Sequence, residues 1–352
     1  MNQAASRVRV TLQDVADRAG VSLTTASRVV NEGSRRVGPQ LAERVNRAVA
    51  ELGYSANLQA RAVATGQSTM VGVVVHDIAD PYFSSIAAGL IEAADARGLL
   101  VCISSTVAAE AAEREYVALM RAQRARAVIL IGSRSDDAAA RDALRAEIAA
   151  FTRSGGRAVA VGQDLLDVDT VLPENAAGAE ALARAMVALG HQRFAVLAGP
   201  RGLLTARDRL DGFRAGLAAW GVPPAATRVV HGPFTRDGGY ESMSALLAAS
   251  EPLPDCVFAV TDVMAMGALA RLRADGLTVP ADIALAGFDD IGTLRDVYPP
   301  LTTVRLPLKR MGEMAAELVV SEAGGVPGAP QVIPVPGEVI LRDSTQPRPP
   351  AG

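Results

Sequence analysis

The 352-residue sequence contains only two cysteines, three histidines, one lysine and no long apolar run. Cys102 and Cys256 lie far apart, each inside an apolar stretch where cysteine behaves as a small hydrophobic residue, so no disulfide framework is expected. No segment approaches the roughly 18 consecutive apolar residues that a membrane span needs. Arg7 and Arg9 are followed by no apolar block, so the first residues do not resemble an export signal. These absences predict a cytoplasmic protein with no membrane partner.

Signatures of catalysis are also missing. The sequence has no G-x-S-x-G elbow, no P-loop and no H-E-x-x-H motif, and its histidines, His76, His191 and His231, are scattered. We therefore predict no catalytic residue, no metal site and no cofactor.

Positive charge is concentrated at one end of the chain. The net charge is −3, but residues 1–66 hold nine Arg against five Asp and Glu, which gives +4 and leaves −7 for the remainder. A local excess of arginine is where a polyanion such as DNA would bind. The length exceeds the roughly 100 to 200 residues of one domain, so two or three compact units are expected.

The first 65 or so residues predict short helices and no strand. The first helix has apolar residues at helical spacing, namely Leu12, Val15, Ala16 and Ala19. Gly20 ends this helix and Ser22 can cap a second helix over 23–30, so the two form a helix-turn-helix unit. A third helix begins at Pro39 and ends before Gly53. Three apolar stripes of this kind can close a small core.

From Met70 onward, short β-rich runs alternate with helix-length amphipathic stretches, which is the pattern of a parallel sheet built from β-α-β units. The predicted strands are 70–76, 99–104, 127–131, 158–161, 194–198, 256–260 and 283–288. The predicted helices between them include 83–97, 109–123, 175–189, 205–220 and 264–275. Seven strands are too many for one doubly wound sheet of about six, so we predict two α/β lobes that divide near Leu172, with a ligand between them.

The most specific motif spans Thr11 to Asn31 and reads TLQDVADRAGVSLTTASRVVN. This segment closely resembles the DNA-binding head of the lactose/galactose repressor family of bacterial transcription regulators. Polar side chains of its second helix point away from the apolar side and can reach base edges and phosphates in a major groove. By resemblance, Leu23, Thr24 and Arg28 lie where the family reads bases, although Leu23 can equally pack inward. A solvated helix on an ordinary three-helix bundle is the alternative.

Residues 54–67, YSANLQARAVATGQ, occupy the place of the family's hinge helix. Asn57 can cap a helix over 58–64, which is shorter than the roughly 12 to 15 residues that an isolated helix needs. In the family, paired hinge helices lie in the minor groove and wedge an apolar side chain into a base step. The resemblance places Val63 at the wedge and Ala56 where proline is usual, and a plain linker is the alternative. The predicted DNA contacts are Thr11, Ser22, Leu23, Thr24, Thr25, Ser27, Arg28, Asn31, Tyr54, Asn57, Arg61 and Val63.

The resemblance continues to about Thr345 through the blocks LGHQRFAVLAGP (189–200), TARDRLDGF (205–213), TDVMAMGA (261–268) and GFDD (287–290). It implies a body similar to two-lobed periplasmic sugar-binding proteins. Arg209 matches the arginine that grips a ligand hydroxyl or carboxylate, and Asp289 matches the carboxylate that binds sugar hydroxyls. Asp262 can instead cap the helix that follows it, and Phe83 can belong to the core. The predicted effector contacts are Asp77, Asp80, Tyr82, Phe83, Thr205, Arg209, Phe234, Asp262 and Asp289.

The resemblance also gives predicted boundaries for an α/β protein with a three-helix head. Residues 1–56 form the helix-turn-helix domain and 57–69 the hinge helix and linker. Residues 70–345 form the effector-binding and dimerisation domain, with lobe 1 at about 70–171 plus 307–328 and lobe 2 at about 172–304 plus 329–345. The polar, Pro-rich residues 346–352 are predicted to be a disordered tail.

The function implied by the resemblance is that of a sequence-specific repressor controlled by a small sugar-like effector. A ligand between the lobes would change their closure and so the spacing of two hinges in a homodimer on a palindromic DNA operator. Induction and corepression both remain open, and we favour induction because sugar-responsive relatives are commoner. No leucine heptad follows the body, which favours a dimer over a tetramer.

Two other classes of protein have a similar body. An enzyme could place Asp289 and Asp290 in such a cleft, but the catalytic motifs are missing. The solute-binding protein of a transporter would need an export signal and would have no use for the segment from Thr11 to Asn31. We therefore favour the repressor.

Overall fold

A computed structural model describes residues 10–30, 37–55, 68–106, 110–223, 227–249, 252–320 and 329–348. The chain divides into two compact units, Met1–Thr69 and Met70–Gly352. The predicted positions of the hinge helix and of residues 349–352 lie outside the described residues.

The first unit is a head of three helices, α1 (Leu12–Ala19), α2 (Leu23–Val30) and α3 (Pro39–Leu52). Helix α1 begins with a reciprocal cap, in which the Thr11 hydroxyl accepts the Asp14 N–H and the Thr11 N–H donates to the Asp14 carboxylate. It ends at Gly20 in the left-handed conformation that glycine adopts without strain. The small core is made of the buried residues Val15, Ala16, Ala19, Ala26, Val45 and Ala48.

The second unit begins with three β-α pairs and two further strands. Its elements are β1 (Met70–Val75), α4 (Pro81–Asp95), β2 (Leu100–Ser105), α5 (Glu110–Ala122), β3 (Ala127–Ile131), α6 (Ala138–Arg153), β4 (Arg157–Val161) and β5 (Asp169–Pro173). Strands β1, β3 and β4 are apolar on both faces and almost fully buried. This is the pattern of a parallel sheet that has helices on both sides.

The chain then builds a second set of elements. They are α7 (Asn175–Ala188), β6 (Phe194–Leu197), α8 (Leu204–Ala219), β7 (Arg228–Val230), α9 (Arg236–Ala248), β8 (Cys256–Ala259), α10 (Asp262–Ala274), β9 (Ala284–Ala286), a 3₁₀ turn (Gly292–Arg295) and β10 (Thr303–Arg305). Helix α11 (Leu308–Val320) and strands β11 (Val332–Val335) and β12 (Glu338–Ile340) complete the unit.

These strands form two parallel sheets and one short antiparallel pair. The first sheet has the order β11-β5-β4-β3-β1-β2, and the second has the order β7-β6-β8-β9. Strands β10 and β12 pair antiparallel and form a separate two-stranded sheet. Helix α11 packs on α4 and so belongs to the first lobe, whereas α7 packs on α8 in the second. The predicted fold of two α/β lobes is therefore confirmed.

Three chain crossings connect the lobes, at 173–175, 305–308 and 335–338. The crossings lie side by side, because the Glu174 N–H donates to the Val335 carbonyl at 2.9 Å and Arg305 of β10 pairs with Glu338 of β12. The predicted division assigned all of 329–345 to the second lobe, which is wrong for β11. Val332–Val335 is instead the edge strand of the first sheet, where it pairs with β5.

The predicted disordered tail also begins too early. The Arg348 N–H donates to the Leu189 carbonyl at 2.8 Å, and its guanidinium pairs with the buried carboxylate of Asp255. These contacts fix the chain through residue 348 against the second lobe. An arginine that finds a buried acid far away in the sequence gives no local signal of order, which is why composition alone misled the prediction.

Candidate functional site

A cavity of about 450 Å³ lies between the two lobes of the second unit. Its walls are loops that follow the carboxyl ends of strands in both sheets, which is where open α/β sheets bind ligands. The volume is within the usual range of small-molecule sites, about 300 to 1,000 Å³. The first lobe contributes, among others, His76, Asp77, Asp80, Tyr82, Phe83 and Ser133. The second lobe contributes, among others, Asn175, Thr205, Arg209, Phe234, Thr261 and Asp289.

Arg209 of α8 and Asp289 form an ion pair at the second-lobe wall, and their exposed fractions are only 2% and 3%. The guanidinium donates from Nη2 to Oδ1 of Asp289 at 2.7 Å and from Nη1 to Oδ2 at 3.3 Å. It also donates from Nη1 to the Val260 carbonyl and from Nε to the Asn175 amide oxygen, at 2.7 and 2.8 Å. Its Cζ atom lies 3.9 Å from the centre of the Phe288 ring. These contacts leave the guanidinium a single fixed orientation.

The electrostatic state of Asp289 follows from this burial. Burial raises the pKa of Asp289 to about 6, although the Arg209 guanidinium beside it acts in the opposite direction. Four of the five guanidinium N–H groups of Arg209 are engaged by the described residues, which leaves one Nη2 hydrogen. The pair therefore offers a ligand one donor beside carboxylate acceptors, the arrangement that suits a hydroxyl group.

Asp262 was predicted to touch the effector, but the structure places its carboxylate behind the wall. It accepts hydrogen bonds from the Ile291 N–H at 3.0 Å and from the Thr303 hydroxyl at 2.8 Å, and the residue is fully buried. Thr261 caps α10 and lines the cavity in its place. Burial and the neighbouring Asp289 raise the pKa of Asp262 well above its usual range. Asp262 thus holds the loop that carries Asp289.

That loop has an unusual backbone. Asp289 has φ 117° and Asp290 has φ 55°, values that residues with a side chain rarely adopt. The loop is held at several points, because the Asp289 N–H donates to the Val304 carbonyl and Asp262 anchors Ile291. Strained residues of this kind cluster at functional sites, where the surrounding structure fixes them.

The first-lobe wall contains all four residues predicted for it. Asp80 caps α4 by accepting the Tyr82 N–H at 2.9 Å, and burial raises the pKa of its carboxyl. The rings of Tyr82 and Phe83 meet edge to face with centroids 5.0 Å apart. Phe234 lines the cavity from the second lobe, packed so closely on Gly199 that a β-carbon there would lie 2.0 Å from its ring. These rings give the cavity flat apolar faces, on which a sugar ring can stack.

Sequence reasoning missed several cavity residues. His76, Ser133 and Asn175 each follow a strand closely, which is the positional signal that could have found them. Arg236, at the start of α9, also lines the cavity. In the described part of the chain, no group of three or more His, Cys, Asp or Glu side chains is arranged to hold a metal ion.

The head presents α2 as its candidate DNA-reading surface. Leu23 is 46% exposed, which answers the question of whether it packs inward, and Thr24 and Arg28 are exposed as well. Ser22 and Thr25 are hydrogen-bonded to each other at the start of α2, and Ser27 is half-buried. Thr11 caps α1, and Tyr54 packs against the head core. The predicted contacts Asn31, Asn57, Arg61 and Val63 lie outside the described residues.

Comparison with known proteins places this architecture in a family. Residues 11–57 match the family described as bacterial regulatory proteins, lacI family, and residues 183–345 match the periplasmic binding protein-like domain. The HTH-type transcriptional regulator CelR of Thermobifida fusca is 33% identical over 343 residues, which cover 96% of this chain and 99% of that protein. The chain belongs to the lacI family. It is accordingly a DNA-binding transcription regulator and not an enzyme.

Other lacI-family members match over nearly the same length. The transcriptional repressor CytR of Escherichia coli K12 is 30% identical over 336 residues, which cover 96% of each chain. The solved lac repressor dimer bound to operator and the anti-inducer ONPF is 29% identical, with a TM-score of 0.82 over 96% of this chain and all of that one. The CelR–cellobiose complex is 30% identical, with a TM-score of 0.68 and 96% of this chain covered. Among the described residues, no helix is long and apolar enough to cross a membrane.

Proposed function

We propose that this lacI-family regulator is a cytoplasmic homodimeric repressor whose affinity for a palindromic operator is set by a neutral sugar or sugar derivative bound between its lobes. The observation that carries the proposal is the Arg209–Asp289 pair at the wall of a 450 Å³ cavity that also has aromatic faces. Hydroxyl-binding groups beside flat apolar rings are what a polyhydroxylated ligand requires. The solved complexes of CelR with cellobiose and of the lac repressor dimer with operator support the two halves of the proposal.

The proposed effector contacts are eight of the nine residues predicted from sequence. They are Asp77, Asp80, Tyr82, Phe83, Thr205, Arg209, Phe234 and Asp289, with Asp262 as the support of Asp289. The proposed base contacts are Leu23, Thr24 and Arg28 on the exposed side of α2. The hinge residues Asn57, Arg61 and Val63 are proposed minor-groove contacts on the resemblance alone. The effector is proposed to release the operator.

The first experiment is a thermal-shift screen of neutral mono- and disaccharides, including cellobiose, followed by calorimetry on each compound that stabilises the full chain. We expect Arg209→Gln and Asp289→Asn each to weaken binding about 10- to 100-fold, because a charge-assisted hydrogen bond contributes about 1.5 to 3 kcal/mol. Arg184→Gln is the matched control, since Arg184 pairs with Glu180 on the surface of α7, away from the residues that line the cavity.

Either substitution in the buried pair can also destabilise the fold, so a third variant is needed. Phe234→Leu leaves the ion pair intact and removes one aromatic face of the cavity, and we expect it to weaken sugar binding while the melting temperature stays close to that of the wild type. Operator fragments selected from genomic DNA provide the second assay. The proposal fails if no sugar both binds and changes operator affinity, and a stable tetramer in light scattering would contradict the proposed dimer.

A further inference from the structure

The amino end of helix α8 is capped by the opposite lobe. Leu203 occupies its N-cap position, and a leucine side chain cannot accept the hydrogen bonds that the first N–H groups of a helix require. The Leu204 N–H instead donates to the Arg134 carbonyl at 2.9 Å, and the Thr205 N–H donates to the Ser133 hydroxyl at 3.0 Å. Arg134 and Ser133 belong to the loop after β3 in the first lobe. The second-lobe helix is therefore completed only when the lobes are together.

Gln163 connects this loop to the helix a second time. It follows β4 in the first lobe and is only 9% exposed. Its side-chain oxygen accepts the Arg134 N–H at 2.9 Å. Its side-chain nitrogen donates to the Thr205 hydroxyl at 2.9 Å and to the Asp208 carboxylate at 3.4 Å. One amide group thus joins two first-lobe loops to α8.

The first-lobe side of this contact is rigid. The Arg134 guanidinium forms a two-fold hydrogen-bonded pair with the Glu113 carboxylate, and the two residues are 2% and 0% exposed. Bidentate pairs of this kind fix geometry as well as charge. Gln163 therefore holds α8 against a surface that has little freedom to adjust.

The second-lobe side leads directly to the ion pair. Thr205 and Arg209 are four residues apart on α8, so they lie on the same face one turn apart. A contact that fixes Thr205 against the first lobe also fixes where Arg209 stands relative to Asp80 and Tyr82 on the opposite wall. The position of one helix end thus sets the width of the cavity.

We propose that Gln163 is a positioning residue for effector binding, which holds the first-lobe loop that caps α8 and so keeps the lobes in the closed arrangement that completes the effector site. The inference rests on the proposed function for the ligand, but lobe closure can be measured without one. Two other hydrogen bonds between the Ser133 loop and the start of α8, from the Leu204 N–H to the Arg134 carbonyl at 2.9 Å and from the Asp136 N–H to the Gly202 carbonyl at 3.0 Å, join backbone atoms that Gln163→Leu does not remove.

The test is a distance measurement between spin labels on the two lobes of the full-length chain. Labels at Glu115→Cys on α5 and Glu241→Cys on α9, with Cys102 and Cys256 replaced by alanine, report lobe separation. The labelled chain is diluted into excess unlabelled chain so that pairs within one chain dominate. We expect Gln163→Leu to lengthen and broaden the distance distribution, because the hydrogen bonds that the Gln163 side chain makes to both lobes are lost.

Gln192→Leu is the matched control, since Gln192 is an exposed glutamine of the second lobe. It should leave the distance distribution as in the wild type. An unchanged distribution in Gln163→Leu, with a melting curve that shows a folded chain, would overturn the proposal.

A second pair of variants separates positioning from simple packing. Gln163→Glu keeps the size of the side chain and can still accept the Arg134 N–H, but its carboxylate faces that of Asp208, and like charges at this separation repel. We expect Gln163→Glu to open the lobes and Asp208→Asn in the same chain to close them again. A role in packing alone predicts neither effect, so the absence of rescue would count against the proposal.

The effector measurement completes the test. For a sugar found in the screen, we expect Gln163→Leu to weaken binding about fivefold, the equivalent of one lost hydrogen bond, with Asp289→Asn as the reference for loss of a direct contact. Lobe opening together with unchanged sugar affinity would overturn the positioning role. If Gln163→Leu opens the lobes but no sugar binds the wild-type chain, the proposed effector is contradicted and the role of Gln163 in lobe closure still stands.

Discussion

Glu113 and Arg134 form an ion pair buried in the first lobe, and the Glu113 carboxylate is also 3.7 Å from Nε2 of His76. Burial alone would raise the pKa of Glu113, but His76 and Arg134 outweigh that effect and lower the pKa to about 2. A carboxyl whose pKa is lower in the folded chain than in the unfolded chain stabilises the fold above its ordinary pKa. That contribution is lost as the pH falls from about 4.5 through about 2.

We expect Glu113→Gln to reduce the free energy of unfolding by about 3 to 5 kcal/mol at pH 7, because Arg134 is then a buried charge without its partner. Below about pH 4.5, the free energy of unfolding of the variant should also fall less steeply with decreasing pH than that of the wild type. Urea unfolding at several pH values measures both effects. Glu180→Gln is the control, because Glu180 pairs with Arg184 near the surface and should change stability by less than about 1 kcal/mol. Equal losses in the two variants would contradict this account.

The sequence identified single residues where a motif surrounds them and failed where partners are remote. Arg209 and Asp289 sit in recognisable blocks, and the structure brings them together at the cavity. Glu113 and Arg134 have no such block, and an acid on an amphipathic helix usually faces water, so the buried pair could not be foreseen. Asp262 was predicted to face the cavity, but its carboxylate faces Ile291 and Thr303 behind the cavity wall. The sequence gives a residue's neighbours along the chain and not the direction of its side chain.

Helix α1 depends on contacts at both of its ends. Thr11 and Asp14 cap each other at the start, and the Arg44 guanidinium of α3 donates to the Ala19 and Gly20 carbonyls at the end. A helix of eight residues is too short to be stable by itself, so its caps and its apolar stripe decide whether it forms. The position of α2 beside it depends on the same short helix.

We expect Thr11→Ala to weaken α1 by about 1 kcal/mol, the usual value of a lost N-cap. Hydrogen exchange on the full-length chain should then show about fivefold faster exchange at the first amides of α1, since that factor corresponds to 1 kcal/mol. Thr24→Ala is the matched control, because Thr24 is exposed within α2 and caps no helix end in the described chain. Equal exchange at the start of α1 in both variants would count against the capping role.

Elements with a clear period were predicted well, and short or edge elements were not. The strand over Ala127–Ile131 was predicted with its observed ends, since five apolar residues in a row indicate a buried strand. Strands β7 and β10 have three residues each, too few for a pattern to appear. Strand β11 contains Pro334, which is compatible only with an edge position, and sequence order does not tell which sheet an edge strand joins.

At the scale of the whole molecule, effector and operator must influence each other equally. If a sugar lowers operator affinity tenfold, the operator duplex must lower sugar affinity tenfold, because both numbers express one coupling free energy. Calorimetric titration of the sugar, with and without a saturating operator duplex, measures this. Asp289→Asn should keep the operator affinity of the ligand-free wild type and lose the response to the sugar. A response that is unequal in the two directions would mean that a further species, such as another oligomer, takes part.

The three adjacent crossings between the lobes have a consequence for how such a chain can be remodelled in evolution. The first sheet takes strands from before and after the second lobe, and residues 329–348 contribute a strand to one sheet and then anchor the other. A gene fusion with a single junction between the lobes would therefore divide the core of at least one lobe instead of exchanging one lobe for another. New ligand preferences in this protein are more accessible through point changes in the cavity loops than through recombination of whole lobes.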